Sequence, residues 1–511
     1  MTPTETSASP PPSAPLLARI ASFVDRRPNV VLPVWIFAYF AVLWRPAHRP
    51  LWFDELLTYY VSAAPSAGSY LHTRFLDPTP PLSYFFFRAS IALFGDSPFA
   101  ARLPSLLGFL GASLIVYRLI ARRLGGAIGL AALGIFWSSS LTVYAVEARP
   151  YGLLLAWFAL ATLCWWNAIT TARWTMWHAG LALSIAAMFL THCFSPPFAA
   201  AIGAAELVRA VASRRIDKRV WAALLAPISV LPLYLPLVKD ARALLCPPAF
   251  AATLVTVPKI YLAILAPLLP SIGAIVLIFL AAYGRGPRAL LSNLARPHEI
   301  AFAIASFLAP LVTICYSHWS GAPFWLRYAI GAIAGATLIL AALLALATRR
   351  NSNLAAAAAG LILMLFCVTR AGTGHLVEWY DNTSTGYRAV RPDLPFVTAS
   401  GLTFLEMDRR EQPAFLSRLY YLTDRDSALR YHTNIFEGMP ILKQWFPVRA
   451  NIELYRDFTS RNRQFLVLAT QGFPEDWLLL KLAEDGAQIR LLREENTGYR
   501  DRELYEVTLR P

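Results

Sequence analysis

Residues 80–95 read PPLSYFFFRASIALFG, and whether this stretch crosses a membrane decides how the rest of the chain is threaded. Pro81 to Phe94 is 14 residues, about 21 Å of helix at 1.5 Å per residue, against a hydrocarbon core of roughly 30 Å. It is too short to span comfortably. Counted as a span, it would put Arg118, Arg122 and Arg123 outside and invert every later loop. Laid in the outer interface as a helix, with Arg88 reaching toward headgroups, it leaves the later basic loops inside.

On either side the chain is a membrane protein by composition. Hydrophobic residues make up 57%, charged residues 15%, and mean hydropathy is +0.47. Eleven apolar runs are expected to span, at about 29–45, 102–120, 125–145, 150–170, 174–191, 194–211, 219–238, 257–283, 299–316, 327–347 and 354–370. With the N-terminus inside, the short basic connections carrying Arg173, Arg214/Arg215, Arg285/Arg288 and Arg349/Arg350 fall on the inner side, and the odd count puts the C-terminus outside. Residues 1–28 are polar and Pro-rich, then briefly apolar, and read as a disordered or interfacial lead-in to an uncleaved first span.

Charge divides the chain in the same place. Residues 1–370 carry 28 Lys and Arg against 11 Asp and Glu, whereas residues 371–511 carry 18 against 20. The basic balance belongs to membrane-flanking loops, and nucleic acid is a poor partner for it. The five cysteines stand singly, with no CxxC and no metal-ligand spacing. In residues 371–511, β-like runs at Pro395–Ser400, Arg418–Thr423, Gln464–Thr470, Gln488–Leu492 and Glu503–Thr508 alternate with helix-compatible stretches such as Gly401–Arg410 and Asn451–Thr459. That alternation predicts a small extracytoplasmic α/β domain with a mainly parallel sheet. The fold class is therefore a membrane α-helical bundle, residues 29–370, followed by a soluble α/β domain, residues 371–511.

Five of the 11 acids in the membrane portion, Asp54, Glu55, Asp77, Asp96 and Glu147, fall on the outer face of this topology. Carboxylates at the rim of a hydrophobic bundle mark a functional site unless something simpler explains them. Simpler explanations exist for each. Trp52-Phe53-Asp54-Glu55 reads equally as a helix cap followed by a favourable first-turn acid. Glu147 and Arg149 could pair with each other, and Asp77 sits in a Pro-rich turn. His192 and His318 are interfacial histidines of a kind that is more often structural than metal-ligating. Arg327, beside Tyr328, matches a lipid phosphate in two-pronged fashion.

FDELLTYY (Phe53 to Tyr60), the D-x-x-P-P-L-S-Y segment (Asp77 to Tyr84), LFGDSPFAARLPS (Leu93 to Ser105), EARPYGLLL (Glu147 to Leu155) and FWLRY (Phe324 to Tyr328) resemble the integral-membrane glycosyltransferases of the C-type fold. Among these the chain is most similar to bacterial relatives of the protein mannosyltransferases and of the lipid A aminoarabinose transferase. The resemblance is strongest over residues 50–160. It implies a polyprenyl-phosphate-sugar donor used on the extracytoplasmic face, with an Asp of the first outer loop acting on the acceptor. Here that residue is Asp54, with Glu55 as companion.

The chemistry asks for the same parts. A sugar phosphate already carries a good leaving group, so the protein must deprotonate an acceptor hydroxyl and hold the departing phosphate charge. Asp54 suits the first task, Arg149 and Arg327 the second, with Asp77, Glu147, His192 and Tyr328 in support. Where related lipid A enzymes have an acidic-basic pair before the Pro, this chain has Thr79-Pro80, which leaves metal dependence open and the acceptor, whether glycan, lipid or protein, undetermined. The competing class is a transporter or flippase with an outer partner-binding domain. Such proteins bury polar groups near the midplane, often within internal repeats, and neither feature is evident here.

Overall fold

The computed structural model describes residues 19, 22–24, 26–64, 66, 68–70, 79–171, 174–237, 252–282, 295–320, 324–349, 351–371, 386–431, 443–444, 448–470, 477–495 and 502–510. The chain divides into two units. The first comprises Met1–Arg45, Leu103–Pro232 and Ala251–Thr373, and the second Pro46–Arg102, Leu233–Phe250 and Gly374–Pro511.

Helix covers every one of the eleven expected apolar runs. The elements are Pro28–His48, Pro98–Leu124, Gly126–Ser138 with the 3-10 turn Ser140–Val146, Tyr151–Thr170, Trp174–Thr191, Pro196–Ser213, Lys218–Leu225 with Ala226–Leu233, Thr256–Leu265 with Leu269–Ala282, Pro297–Ser320, Ala332–Ala347 and Ser352–Ala371. Among the described residues, seven helices are long and apolar enough to cross a membrane, or eight if the bent pair Gly126–Ser138 and Ser140–Val146 is one span. The helices are apolar on the outside as well as within. On Pro28–His48, Val30, Val34, Phe37 and Trp44 are exposed while Trp35, Tyr39 and Leu43 are buried. Two inward polar tips of this helix find carbonyls, Trp35 Nε1 donating to Leu130 at 3.1 Å and the Tyr39 hydroxyl to Leu106 at 3.0 Å. Lipid cannot satisfy such groups, so the protein must.

Small residues let these helices touch backbone to backbone. A Cβ added at Gly152 would lie 2.2 Å from the Ser105 carbonyl oxygen, and one at Gly108 2.7 Å from the Gly152 carbonyl oxygen. Gly152→Ala should therefore push Tyr151–Thr170 away from Pro98–Leu124 and destabilise the protein by about 1–3 kcal/mol. Thermal unfolding in detergent reads this directly, and an unchanged midpoint would mean that the helices part without cost.

In the second unit a six-stranded sheet runs in the order β3-β2-β1-β4-β6-β5. The strands are β1 Phe396–Thr398, β2 Leu419–Thr423, β3 Asn451–Leu454, β4 Gln464–Thr470, β5 Gln488–Glu495 and β6 Arg502–Thr508. β1 to β4 pair in parallel, and β6 is antiparallel to both β4 and β5. One face buries Val397, Val467, Phe465, Phe458 and Trp477. On the other, Phe396 packs on Phe415 and Phe404 on Tyr421. Asn451–Thr459, read from sequence as helical, is a strand followed by a helix, Tyr455–Arg461. Asn451 to Leu454 are drawn into the sheet by pairing with Tyr420 to Thr423, a contact that local propensity does not contain.

The same unit holds the helices Phe53–Ser62 and Leu82–Phe94. The Tyr60 hydroxyl donates to Asp408 at 3.2 Å, and Asp408 also accepts from the Arg449 and Ala450 amides at 2.8 and 2.7 Å. Burial lifts the Asp408 carboxyl above its usual range despite those amide bonds. Tyr59 donates to Asp96 at 2.9 Å, Asp96 pairs with Arg409, and the Arg409 guanidinium lies 4.7 Å over the Tyr59 ring. Leu82–Phe94 exposes Phe85, Phe86, Leu93 and Phe94 while burying Ser83 and Ser90, an outward-apolar pattern that suits a lipid interface. Arg88, expected to reach for headgroups, instead donates to the Ala64 carbonyl just beyond Phe53–Ser62.

Candidate functional site

The expected acids lie in the second unit, apart from Glu147, and the expected cations in the first. Trp52, in extended conformation, precedes the helix that begins at Phe53, so Asp54 and Glu55 both occupy the first turn. The cap that the sequence offered to Asp54 is made by Glu55, whose Oε2 accepts from the Trp52 amide at 3.1 Å. Glu55 also takes both prongs of Arg102, Nε to Oε1 at 2.7 Å and Nη2 to Oε2 at 2.6 Å, with both side chains fully buried. The remaining Arg102 donors gather the preceding turn, reaching the carbonyls of Ala47 at 3.1 Å, Pro50 at 2.9 Å and Arg49. Asp54 is left partly exposed on a turn pinned from three sides. Asp77 lies outside the described residues.

Arg102 was not singled out from sequence. Its signal was present, as the one basic residue between Arg88 and Arg118, lodged in the apolar run PFAARLPS.

In the first unit, Arg149 sits just before the helix Tyr151–Thr170, and its carbonyl accepts from the Ser105 hydroxyl at 2.6 Å. Tyr151 packs on His192 with ring centroids 5.3 Å apart, His192 on Tyr328 at 5.6 Å, and Phe194 stacks on Tyr328 at 4.3 Å. Arg327 lies over Trp325 and Tyr328 at 5.5 and 5.8 Å. The structure places Arg149, His192, Arg327 and Tyr328 near one another and adds Tyr151, Phe194 and Ser105, which the sequence does not single out because contacts between residues so far apart along the chain leave no local pattern. Glu147 is buried two residues before Arg149. His318 is elsewhere, in the last turn of Pro297–Ser320 with Nδ1 against the Ala252 carbonyl at 2.8 Å.

His192 has a defined state. Its Nδ1 accepts the Phe194 amide proton at 3.1 Å, which leaves the imidazole proton on Nε2. Burial first, and then the charges of Arg149 and Arg327, hold its pKa down at about 3. The imidazole is thereby held in its neutral form, with Nε2 as a hydrogen-bond donor. Two fixed guanidinium charges, a neutral N–H donor and phenol hydroxyls among aromatic walls form a cradle suited to an anion with several oxygens. Among the described residues, no group of three or more His, Cys, Asp and Glu is arranged to hold a metal ion.

Residues 78–239 match the family model for dolichyl-phosphate-mannose-protein mannosyltransferase. The fold of nearly the whole chain is that of ArnT from Cupriavidus metallidurans in the apo state, with TM-score 0.59 and 13% identity over 94% of this chain and 98% of that one. Over residues 78–239 the chain resembles the mannosyltransferase family, and its fold is that of this ArnT. The same ArnT bound to undecaprenyl phosphate matches with TM-score 0.55 and 14% identity over the same shares of the two chains. No curated protein matches the chain.

Proposed function

We propose that the protein transfers a sugar from a polyprenyl-phosphate carrier to an acceptor hydroxyl on the extracytoplasmic face of the inner membrane, with inversion at the anomeric carbon, for modification of a cell-envelope glycan or lipid. The eleven-span topology, with residues 29–370 in the membrane and 371–511 outside, belongs to the same reading. The observation that carries it is that Arg149 and Arg327 both lie near the buried His192 within one aromatic cluster, a pair of fixed cations that favours a phosphate and disfavours a cation. The undecaprenyl phosphate held by ArnT supports the same class of donor.

In this mechanism the acceptor oxygen attacks the anomeric carbon as the bond to the phosphate oxygen breaks. Asp54 takes the hydroxyl proton, and Arg149, Arg327 and the His192 Nε2–H hold the charge that collects on the departing phosphate. Glu55, committed to Arg102, acts by fixing the turn on which Asp54 stands, while Tyr328 and Glu147 shape the cradle and Asp77 supports the acceptor side.

Binding of undecaprenyl phosphate to the detergent-solubilised protein tests this. The wild type should bind, and Arg327→Lys, which keeps the charge but loses the fork, should bind about 10-fold more weakly. Its turnover at saturating donor should change much less. Equal affinity in the two proteins would mean that the phosphate needs no two-pronged grip at Arg327, and a path for the lipid through to the cytoplasm would favour the flippase.

A further inference from the structure

The helix Gly126–Ser138 breaks by 79° into the 3-10 segment Ser140–Val146, which leads within three residues to Arg149. A helix that stops inside an apolar bundle leaves its last carbonyls without partners, and lipid offers none. Many helices solve this with a left-handed residue after the last turn. Here Ser139 is extended instead, with φ −61° and ψ 146°. The carbonyls are taken by side chains. The Thr142 hydroxyl donates to Trp137 at 2.8 Å, and Arg370 donates to Ser138 at 3.3 Å and to Ser139.

Arg370 lies in the last turn of Ser352–Ala371, more than two hundred residues along the chain from the break. The two helices are tightly apposed, since a Cβ at Gly134 would lie 2.6 Å from the Ile362 side chain and the Trp137 and Phe366 rings are 5.6 Å apart. Beyond the break, Ser140–Val146 packs against Leu326–Ala329, the 3-10 turn that carries Arg327. Both arms of the cradle therefore depend on the direction in which the chain leaves Ser138. One arm follows it covalently to Arg149, and the other rests on it at Arg327.

We infer that Arg370 is a positioning residue for the phosphate cradle: by fixing the break at Ser138–Ser139 it sets the placement of Arg149 and Arg327. This rests on the phosphate-binding reading given above. Arg370 itself need not touch the ligand. A point cation that could still donate to two carbonyls would do much of the same work, whereas a neutral side chain of similar length would let the break relax.

The test is the affinity of the full-length, detergent-solubilised protein for undecaprenyl phosphate. Arg370→Gln should bind about 10- to 100-fold more weakly, the range expected when binding groups shift by an ångström or so, and Arg370→Lys should recover most of the loss. Because Arg370 acts through Arg149 as well as Arg327, the double variant Arg149→Gln/Arg370→Gln should lose clearly less affinity than the product of the two single losses. Wild-type affinity in Arg370→Gln, or a full additional loss on top of Arg149→Gln, overturns the inference. If Arg370→Gln does not fold, Thr142→Val, which frees the carbonyl on the other side of the break, should weaken binding in the same direction, and unchanged affinity there overturns it. Failure of the wild type to bind would overturn the phosphate-binding reading and this inference together, whereas equal binding by wild type and Arg370→Gln overturns this inference alone.

Discussion

Asp54→Asn should lower turnover by about 10² to 10⁴ while leaving undecaprenyl phosphate binding nearly unchanged, because it removes a basic carboxylate and keeps its volume and most of its hydrogen bonding. The size of the effect follows from what the donor chemistry leaves for the protein to do. Phosphate departs readily once its charge is held, so proton removal from the acceptor is the remaining burden. In the proposed mechanism Asp54 takes that part, since Glu55 is paired with Arg102 and Glu147 is buried. Steady-state kinetics with saturating acceptor decide the matter. Near-normal turnover in folded Asp54→Asn protein would remove Asp54 from the mechanism and leave Asp77 and Glu147 as the candidate bases.

Arg102→Met should be the most destabilising single change in the region. It leaves the Glu55 carboxylate buried with its charge uncompensated and strips the donors from the carbonyls of Ala47, Arg49 and Pro50. Breaking a buried pair from one side costs about 3–5 kcal/mol, more than the pair itself contributes relative to apolar replacements. The double variant Arg102→Met/Glu55→Gln should regain part of that stability, since the stranded charge is gone. Thermal unfolding of the three proteins in detergent measures both effects. An Arg102→Met midpoint equal to that of the wild type would mean that the Glu55 carboxyl is protonated or solvated and that the turn carrying Asp54 is held by something else.

The membrane helices were legible because lipid contact imposes a rule on every residue of a span, so apolar length alone finds Pro28–His48 or Ser352–Ala371. The sheet domain was legible for a similar reason, as short β-branched and aromatic runs recur between turn residues, and only β3 was lost. What sequence could not show depends on distant partners. The Tyr60 to Asp408 bond, which ties the helix Phe53–Ser62 to the unit that contains the sheet, joins residues 348 apart. The Glu55 to Arg102 pair joins residues 47 apart, and it turns an acid read as catalytic into one that holds its neighbour. The cradle was half legible. Arg149 and Arg327 stand out as cations beside apolar runs, but the tautomer of His192 depends on the Phe194 amide, and the break at Ser138 is closed by a side chain from the last helix of the membrane portion.

The measurement that bears most directly on the central claim is sugar transfer by the purified full-length protein supplied with a panel of radiolabelled polyprenyl-phosphate sugars and envelope lipid and glycan acceptors. The account predicts that one donor loses its label to an acceptor with release of the polyprenyl phosphate, and that Asp54→Asn, although it still binds the lipid, does not release it at an appreciable rate. Label moved intact across a reconstituted bilayer, with the sugar still on its carrier and at the same rate in Asp54→Asn, would contradict it.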